Sequence, residues 1–231
     1  MQHSGDRQAP RLSLSQRLLL RLLRLFLKLL YHQLAFTYDW VAAIVSVGMW
    51  QTWVASVLPY LDGPDVLEVG FGPGHLQLQL QRKGIRGFGI DESRQMARIA
   101  RQRMLHSGLS ARLIRGDVSC LPFKDECYQQ VVMTFPAEFL FNMATYAEIR
   151  RVLRPGGKAV LLPLAWITGR RPLERLAAWL NRITGEAPAW NEKVLEPLKA
   201  LGFDISWDML EMPTSRVLIV QLSKPRANHQ D

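Results

Sequence analysis

Cysteine is scarce: Cys120 and Cys127 are the only two in 231 residues. Two thiols seven positions apart, with no His or Cys partners beside them, exclude a disulfide framework and offer no zinc-ligand spacing. Both read as buried or half-buried thiols without a redox or metal role. Charge is missing from Trp40 to Leu61, a run of 22 residues between Asp39 and Asp62 that is long enough, on count alone, to cross a bilayer. Ser46, Gly48, Gln51, Thr52, Ser56 and Pro59 dilute that run, and a strand pattern follows it almost at once. Two short helices, Tyr38–Val47 and Met49–Leu58, laid over a ligand site are the reading adopted, with a membrane span as the alternative. Acids are nearly absent from residues 1–38, where Asp6 faces Arg7, Arg11, Arg17, Arg21, Arg24 and Lys28.

What is present bounds the answer further. A chain of this length holds one α/β domain with decorations, and 48% hydrophobic with 21% charged residues is a globular composition. The net charge of +9 is concentrated at the N-terminus. Residues 1–15 are polar and read as an unstructured tail. In residues 16–36, Arg17, Arg21, Arg24 and Lys28 fall four, three and four apart, on one helical face, with leucine and phenylalanine on the rest. That is a basic amphipathic helix with a wide apolar arc, suited to the surface of an anionic membrane. Packing against the domain or a second subunit, or service as a transit peptide, are the competing readings.

Asp65–Val69 is a short apolar run, read as a buried parallel strand. Gly70-Phe71-Gly72-Pro73-Gly74 then turns the chain, and His75–Lys83 reads as a helix. A strand, a glycine turn and a helix start form a nucleotide pocket, because glycine lets the backbone approach a ligand and the first helical N–H groups are unspent. Dehydrogenases use such a turn too, but their third glycine would fall at 75, which is His75. Arg86–Asp91 reads as a second strand ending in an acid that can accept both hydroxyls of a ribose, and NAD enzymes share it. Ser93–Leu105 reads as a helix with Arg94, Arg98, Arg101 and Arg103 mostly in solvent. A third strand, Ala111–Arg115, precedes Gly116-Asp117-Val118. Tyr128–Phe135 is the fourth, Phe139–Leu153 a helix, and Lys158–Leu164 the fifth strand after Arg154-Pro155-Gly156-Gly157. Helix Asn191–Leu201 and strands near Asp204–Leu210 and Arg216–Leu222 complete the pattern.

The run Glu68-Val69-Gly70-Phe71-Gly72-Pro73-Gly74, with Asp91, Gly116-Asp117, Leu121-Pro122-Phe123 and Arg151-Val152-Leu153-Arg154-Pro155-Gly156-Gly157, resembles the class I S-adenosylmethionine (SAM)-dependent methyltransferases, close to methyltransferase type 11 and the quinone methyltransferases. The resemblance covers about residues 60–224 and implies an α/β fold: a three-layer Rossmann-like sheet of seven strands with the last antiparallel, preceded by N-terminal helices. It implies SAM as cofactor, bound by Glu68 at the methionine amino end, Gly70, Phe71, Gly72 and Gly74 in the loop, Asp91 at the ribose, Asp117 and Val118 at adenine, and by Glu92 and Thr134. Family members often carry Asp near the start of strand four, where this chain has Cys127 or Tyr128.

The domain then spans 37–224, with a lid insertion at 165–190 holding Trp166, Trp179 and Trp190, and a tail at 225–231. Thr134-Phe135-Pro136-Ala137-Glu138-Phe139 is the expected acceptor wall. Glu138 has two readings: a general base, or a carboxylate opposing a helix dipole. Methyl transfer from a sulfonium needs chiefly in-line placement, so no dedicated catalytic side chain is required. Aromatic cover and a basic leucine-rich arm point to a small apolar acceptor, lipid or quinone, and to peripheral contact with a membrane's cytoplasmic face. Nucleic acid fits poorly: the D/N-P-P-Y/F motif of amino-methylating DNA enzymes is absent after strand four, and the arm lacks interleaved basic and aromatic residues. An RNA or protein methyltransferase, or a non-catalytic SAM-binding protein, are the alternatives. Oligomeric state is left open.

Overall fold

The computed structural model describes residues 46–136, 139–169, 171–172, 174–175 and 192–226. The basic arm at 16–36, both tails, Glu138 and most of the 165–190 segment lie outside the described residues. A seven-stranded sheet forms the centre, in the order β3-β2-β1-β4-β5-β7-β6. Its strands are β1 (Asp65–Val69), β2 (Arg86–Asp91), β3 (Leu113–Arg115), β4 (Tyr128–Thr134), β5 (Leu153–Ile167), β6 (Asp204–Glu211) and β7 (Ser215–Ser223). All neighbours pair in parallel except β7, which is antiparallel to both β5 and β6. The chain reverses its strand order beside β1 and β4, and the C-terminal ends of those strands open a crevice there.

Side chains alternate across β1 and so feed two cores. Leu67 and Val69 join the cluster with Val131, Met133, Tyr146 and Ile149, while Val66 joins Trp53, Leu76, Leu80, Val132 and Val160 on the other face. Helices α1 (Trp50–Ala55) and α2 (His75–Arg82) cover the second face, and α4 (Met143–Val152) and α5 (Glu196–Ala200) the first. Helix α3 (Arg94–His106) buries Met96, Ala100 and Met104 at a four-residue period and is capped by Ser93, whose Oγ accepts from the Met96 N–H at 3.2 Å. Arg94, Arg98 and Arg101 are exposed as expected, but the Arg103 guanidinium instead reaches the Pro73 carbonyl of the glycine loop.

Of the charge-free run, residues 46–61 are described and form no span; the helix expected at Tyr38–Val47 lies almost wholly outside the described residues. Val47 and Gly48 take positive φ of 52° and 79°, and the helix after them is only six residues long before Ser56 and a 3₁₀ turn at Leu58–Tyr60. No helix of the described residues is long and apolar enough to cross a membrane. The segment is instead bound to the sheet. Trp53 donates its indole N–H to Ser215 Oγ at 2.9 Å, and the buried Gln130 amide accepts from the Asp62 and Gly63 N–H groups and donates to the Tyr60 carbonyl. With a second donation to Asp62 Oδ1 at 2.7 Å, all of Gln130's polar capacity is used to fasten the approach to β1 onto β4.

Three boundaries shift from the sequence reading. The helix before β5 starts at Met143, where Asn142 Oδ1 accepts from the Ala144 N–H, rather than at Phe139. Strand β5 runs on to Ile167, so Ala165–Ile167 belong to the sheet, paired with Val217–Ser215, and not to the insertion. A register shift between Leu161 and Leu164, around Pro163, conceals this continuation in the hydrophobic pattern. Helix 191–201 divides into a 3₁₀ turn, Glu192–Leu195, and α5, with Pro197 inside its first turn. Cys120 is exposed rather than buried because it sits in the turn after Asp117, while Cys127 is half-buried and burial pushes its thiol pKa up.

Candidate active site

The loop between β1 and α2 adopts the geometry its glycines permit. Gly70, Gly72 and Gly74 all have positive φ, at 76°, 49° and 80°. At Gly74 a side chain is excluded twice over, since a Cβ would also stand 2.8 Å from the Ala100 Cβ and 3.1 Å from its Cα, on α3. Asp91, at the end of β2, ties the loop down. Its Oδ2 accepts from the Gly72 N–H and its Oδ1 from the Ser93 N–H, both at 2.8 Å.

A cleft of about 290 Å³ opens above this loop. Its floor is Glu68, Gly70, Phe71, Gly72, Pro73, His75 and Leu76; Asp91, Glu92, Ser93 and Val118 form one end, and Thr134, Phe135, Phe139, Trp50 and Val54 the other. Glu68 is almost fully buried and its Oε2 accepts from Gln77 Nε2 at 2.8 Å. Burial pushes its carboxyl up to about 8; the Gln77 hydrogen bond opposes that rise and the nearby Asp91 charge adds to it. Among the described residues no Lys or Arg lines the cleft, which favours a ligand that brings a positive charge to Glu68.

The far end is aromatic. Trp50 and Phe135 stack with ring centroids 4.3 Å apart and planes 27° from parallel, and Trp53 lies 6.1 Å from the same phenyl ring. Phe135 follows β4 with a φ of 51°, held by its N–H donating to the Leu162 carbonyl at 2.7 Å. Left-handed backbone in a phenylalanine is strained, and it turns the chain out of the sheet where the cleft opens. Phe139 lies over Gly70, whose absent Cβ would come within 2.6 Å of the ring.

Comparison with known proteins agrees with this geometry. A family profile described as a methyltransferase domain matches residues 66–157, from β1 through the loop into the start of β5. The chain is 28% identical over 176 residues to the ubiquinone/menaquinone biosynthesis C-methyltransferase of Cupriavidus metallidurans, covering 69% of this chain and 72% of that one. It is 31% identical over 137 residues to the demethylmenaquinone methyltransferase of Tropheryma whipplei, covering 57% and 56%. A crystal structure of a SAM-dependent methyltransferase from Methanosarcina mazei superposes with a TM-score of 0.53 at 22% identity, over 74% of this chain and 97% of that one. The chain is a class I SAM-dependent methyltransferase. Its cofactor is SAM, and the sheet order, with β7 the lone antiparallel strand, is the one expected of that family.

Within the methyltransferase, most of the residues singled out from sequence converge. Glu68, Gly70, Phe71, Gly72, Asp91, Glu92, Val118 and Thr134 all line the cleft, and Gly74 shapes it from behind as the residue that lets α2 approach α3. Asp117 does not line it. That side chain is exposed, and its Oδ1 accepts from the Ser119 N–H at 2.7 Å and the Ser119 hydroxyl at 2.6 Å. Those Ser119 bonds hold the Asp117 carboxyl below its ordinary value. Val118, the next residue, is the one turned inward. Sequence reasoning missed Trp50, Val54, Leu76 and Ser93 as individual lining residues. A helix over the site was foreseen, but which of its side chains faces inward depends on the turn at Val47-Gly48. No group of three or more His, Cys, Asp or Glu able to hold a metal occurs among the described residues.

Proposed function

We propose that this methyltransferase acts on a small, flat, apolar acceptor of the quinone or lipid type, at a membrane surface. The observation that carries the proposal is the Trp50–Phe135 stack at the strand-four end of the cleft. Two broad π faces with Phe139 and Val54 beside them suit a planar ring and offer little to a charged or strongly hydrated group. The names of the relatives, quinone C-methyltransferases, support the same substrate class.

When bound, SAM would supply an electrophilic methyl group on its sulfonium: the acceptor's electron pair would take that carbon, the S–CH₃ pair would stay on sulfur as a neutral thioether, and the acceptor's proton would leave to solvent. The chain's part is placement. Glu68 would hold the cofactor's ammonium at the buried end, and Asp91, with Glu92 beside it, would take the ribose hydroxyls. Phe71 and the Gly70–Gly74 backbone support the methionine-to-ribose stretch, Val118 lies against adenine, and Asp117 at the rim accepts the adenine amino group. Thr134, Phe135 and Trp50 hold the acceptor ring over the sulfonium and keep water out.

The basic, leucine-rich segment at 16–36 is the proposed contact with anionic lipid on the cytoplasmic face, where an acceptor dissolved in the bilayer is within reach. The test is incubation of the full chain with SAM and a lipid extract rich in demethylated quinone, followed by mass spectrometry. A SAM-dependent gain of about 14 Da, one CH₂, in a quinone species is the expected outcome. A gain only in RNA or protein would overturn the acceptor assignment.

A further inference from the structure

Gln77 is the third residue of α2 and is wholly buried, on the side that faces β1 and β2. Its Nε2 donates to two acceptors, Glu68 Oε2 at 2.8 Å and the Phe88 carbonyl at 3.2 Å. A carbonyl oxygen can only accept, so turning the amide over would set oxygen against oxygen; the backbone of β2 thereby fixes which end of Gln77 meets Glu68. The other end is left without a partner. Gln77 Oε1 is buried with no hydrogen bond and points at Gly87, where a Cβ would come within 2.5 Å. An orphaned buried acceptor is a cost that an apolar residue here would avoid, so the amide has a use that its own packing does not explain.

We propose that Gln77 is a positioning residue for the cofactor: it holds Glu68 as a hydrogen-bond acceptor, with Oε2 engaged and Oε1 turned to the cleft for the methionine ammonium. The inference rests on the reading of Glu68 as the ammonium site. The groups facing Glu68 are Gln77 from α2 and Asp91 from β2, with His75 and Glu92 in the same cleft. Because burial raises the Glu68 carboxyl, it enters binding protonated at neutral pH and gives up its proton as the ammonium arrives. A donor that stays in place favours the ionised form and makes that exchange easier.

Two variants test this on the full chain by titration calorimetry. Gln77→Met keeps length and volume but removes the donor. Gly87→Ala leaves Gln77 intact and pushes its flexible amide end away from below. Two probes are compared: SAM, and 5′-methylthioadenosine, which has the nucleoside but no amino acid. Between pH 6 and 7 the ligand's own α-amino group, with an ordinary pKa of about 7.7–8.0, stays mostly charged. Each variant should weaken SAM about tenfold at pH 7, the scale of a lost hydrogen bond to a charged group, and leave methylthioadenosine within about twofold. The rise of SAM affinity with pH should also move to higher pH in Gln77→Met. Equal losses for both probes would reduce Gln77 to a packing residue, and unchanged SAM affinity in both variants would remove its role; either overturns the proposal. Should Gln77→Met fail to fold, Gly87→Ala alone decides. Wild-type protein that binds neither probe would instead overturn the cofactor site itself.

Discussion

Trp50 and Phe135 come from segments far apart in sequence and stack at 4.3 Å, closing one end of the cleft that begins at Glu68. Neither ring belongs to the loop that defines the family. If they hold the acceptor, removing either should leave cofactor binding nearly intact. Trp50→Ala and Phe135→Ala are each expected to raise KM for a quinone-type acceptor about tenfold, the scale of one buried aromatic contact, with SAM affinity changed less than about threefold. Because the rings touch, the double variant should lose less than the product of the two effects. Steady-state kinetics with SAM and acceptor varied separately checks this, and a loss confined to SAM would reassign the stack to the cofactor.

Glu68 trades stability for binding. Its folded-state value, about 8, lies above the ordinary 4.5, so the native protein holds this proton more tightly than the unfolded chain does. The resulting stability is full below about pH 4.5 and is lost as pH rises through about 8. Glu68→Gln removes that loss. Without ligand it should melt several degrees above wild type at pH 8.5, by roughly 2–4 °C per kcal/mol for a chain of this size, and close to wild type at pH 4.5. Its stabilisation by SAM should be gone. Scanning calorimetry at the two pH values, with and without SAM, provides the comparison; a variant less stable than wild type at pH 8.5 would contradict the account.

Asp91 and Asp117 should differ in weight. Asp91 accepts two backbone N–H groups that hold the glycine loop, so Asp91→Ala loses both the loop anchor and the ribose contact. About a hundredfold weaker SAM binding is expected, from two charge-assisted hydrogen bonds. Asp117 is exposed and its Oδ1 is already engaged by Ser119, so Asp117→Ala should cost about fivefold or less. Equilibrium binding of both variants at one pH separates them, and a larger loss at Asp117 would reverse the ranking.

The parts of this protein that were legible in sequence are those set by local chemistry. Gly70, Gly72 and Gly74 announce a turn that needs positive φ, Glu68 and Asp91 stand at the ends of apolar strand runs, and Arg154-Pro155-Gly156-Gly157 follows the last turn of α4. What was hidden depends on tertiary packing. Phenylalanine does not signal left-handed backbone, so the turn at Phe135 was invisible and with it the direction of the ring. The bulge near Pro163 disguised the end of β5, and nothing in Gly116-Asp117-Val118 announces the turn, completed by Ser119, that leaves Asp117 exposed. Gln77 alternates with Gln79 and Gln81 along α2, and only the position of β2 shows that it is the one wholly buried.

The basic arm makes a separate prediction. Deleting residues 1–30 should release the protein from liposomes containing anionic lipid, by about 1 kcal/mol for each cation lost near the surface, and leave SAM binding unchanged. Co-sedimentation with vesicles of graded phosphatidylserine content tests it. Undiminished sedimentation of the truncated chain would remove the anchor.

The most direct test of the central claim uses Gly72. Its N–H anchors to Asp91, its φ is 49°, and a Cβ there would meet no atom within 4 Å, so a side chain at this position projects into open space in the cleft without breaking the core. SAM titrated calorimetrically into wild type and Gly72→Arg, with melting temperatures recorded for both, should show saturable binding and a raised melting temperature for wild type, and neither for a Gly72→Arg protein that still folds. Absence of binding to wild type, or equal affinity in the two proteins, would contradict the placement of the cofactor in this cleft.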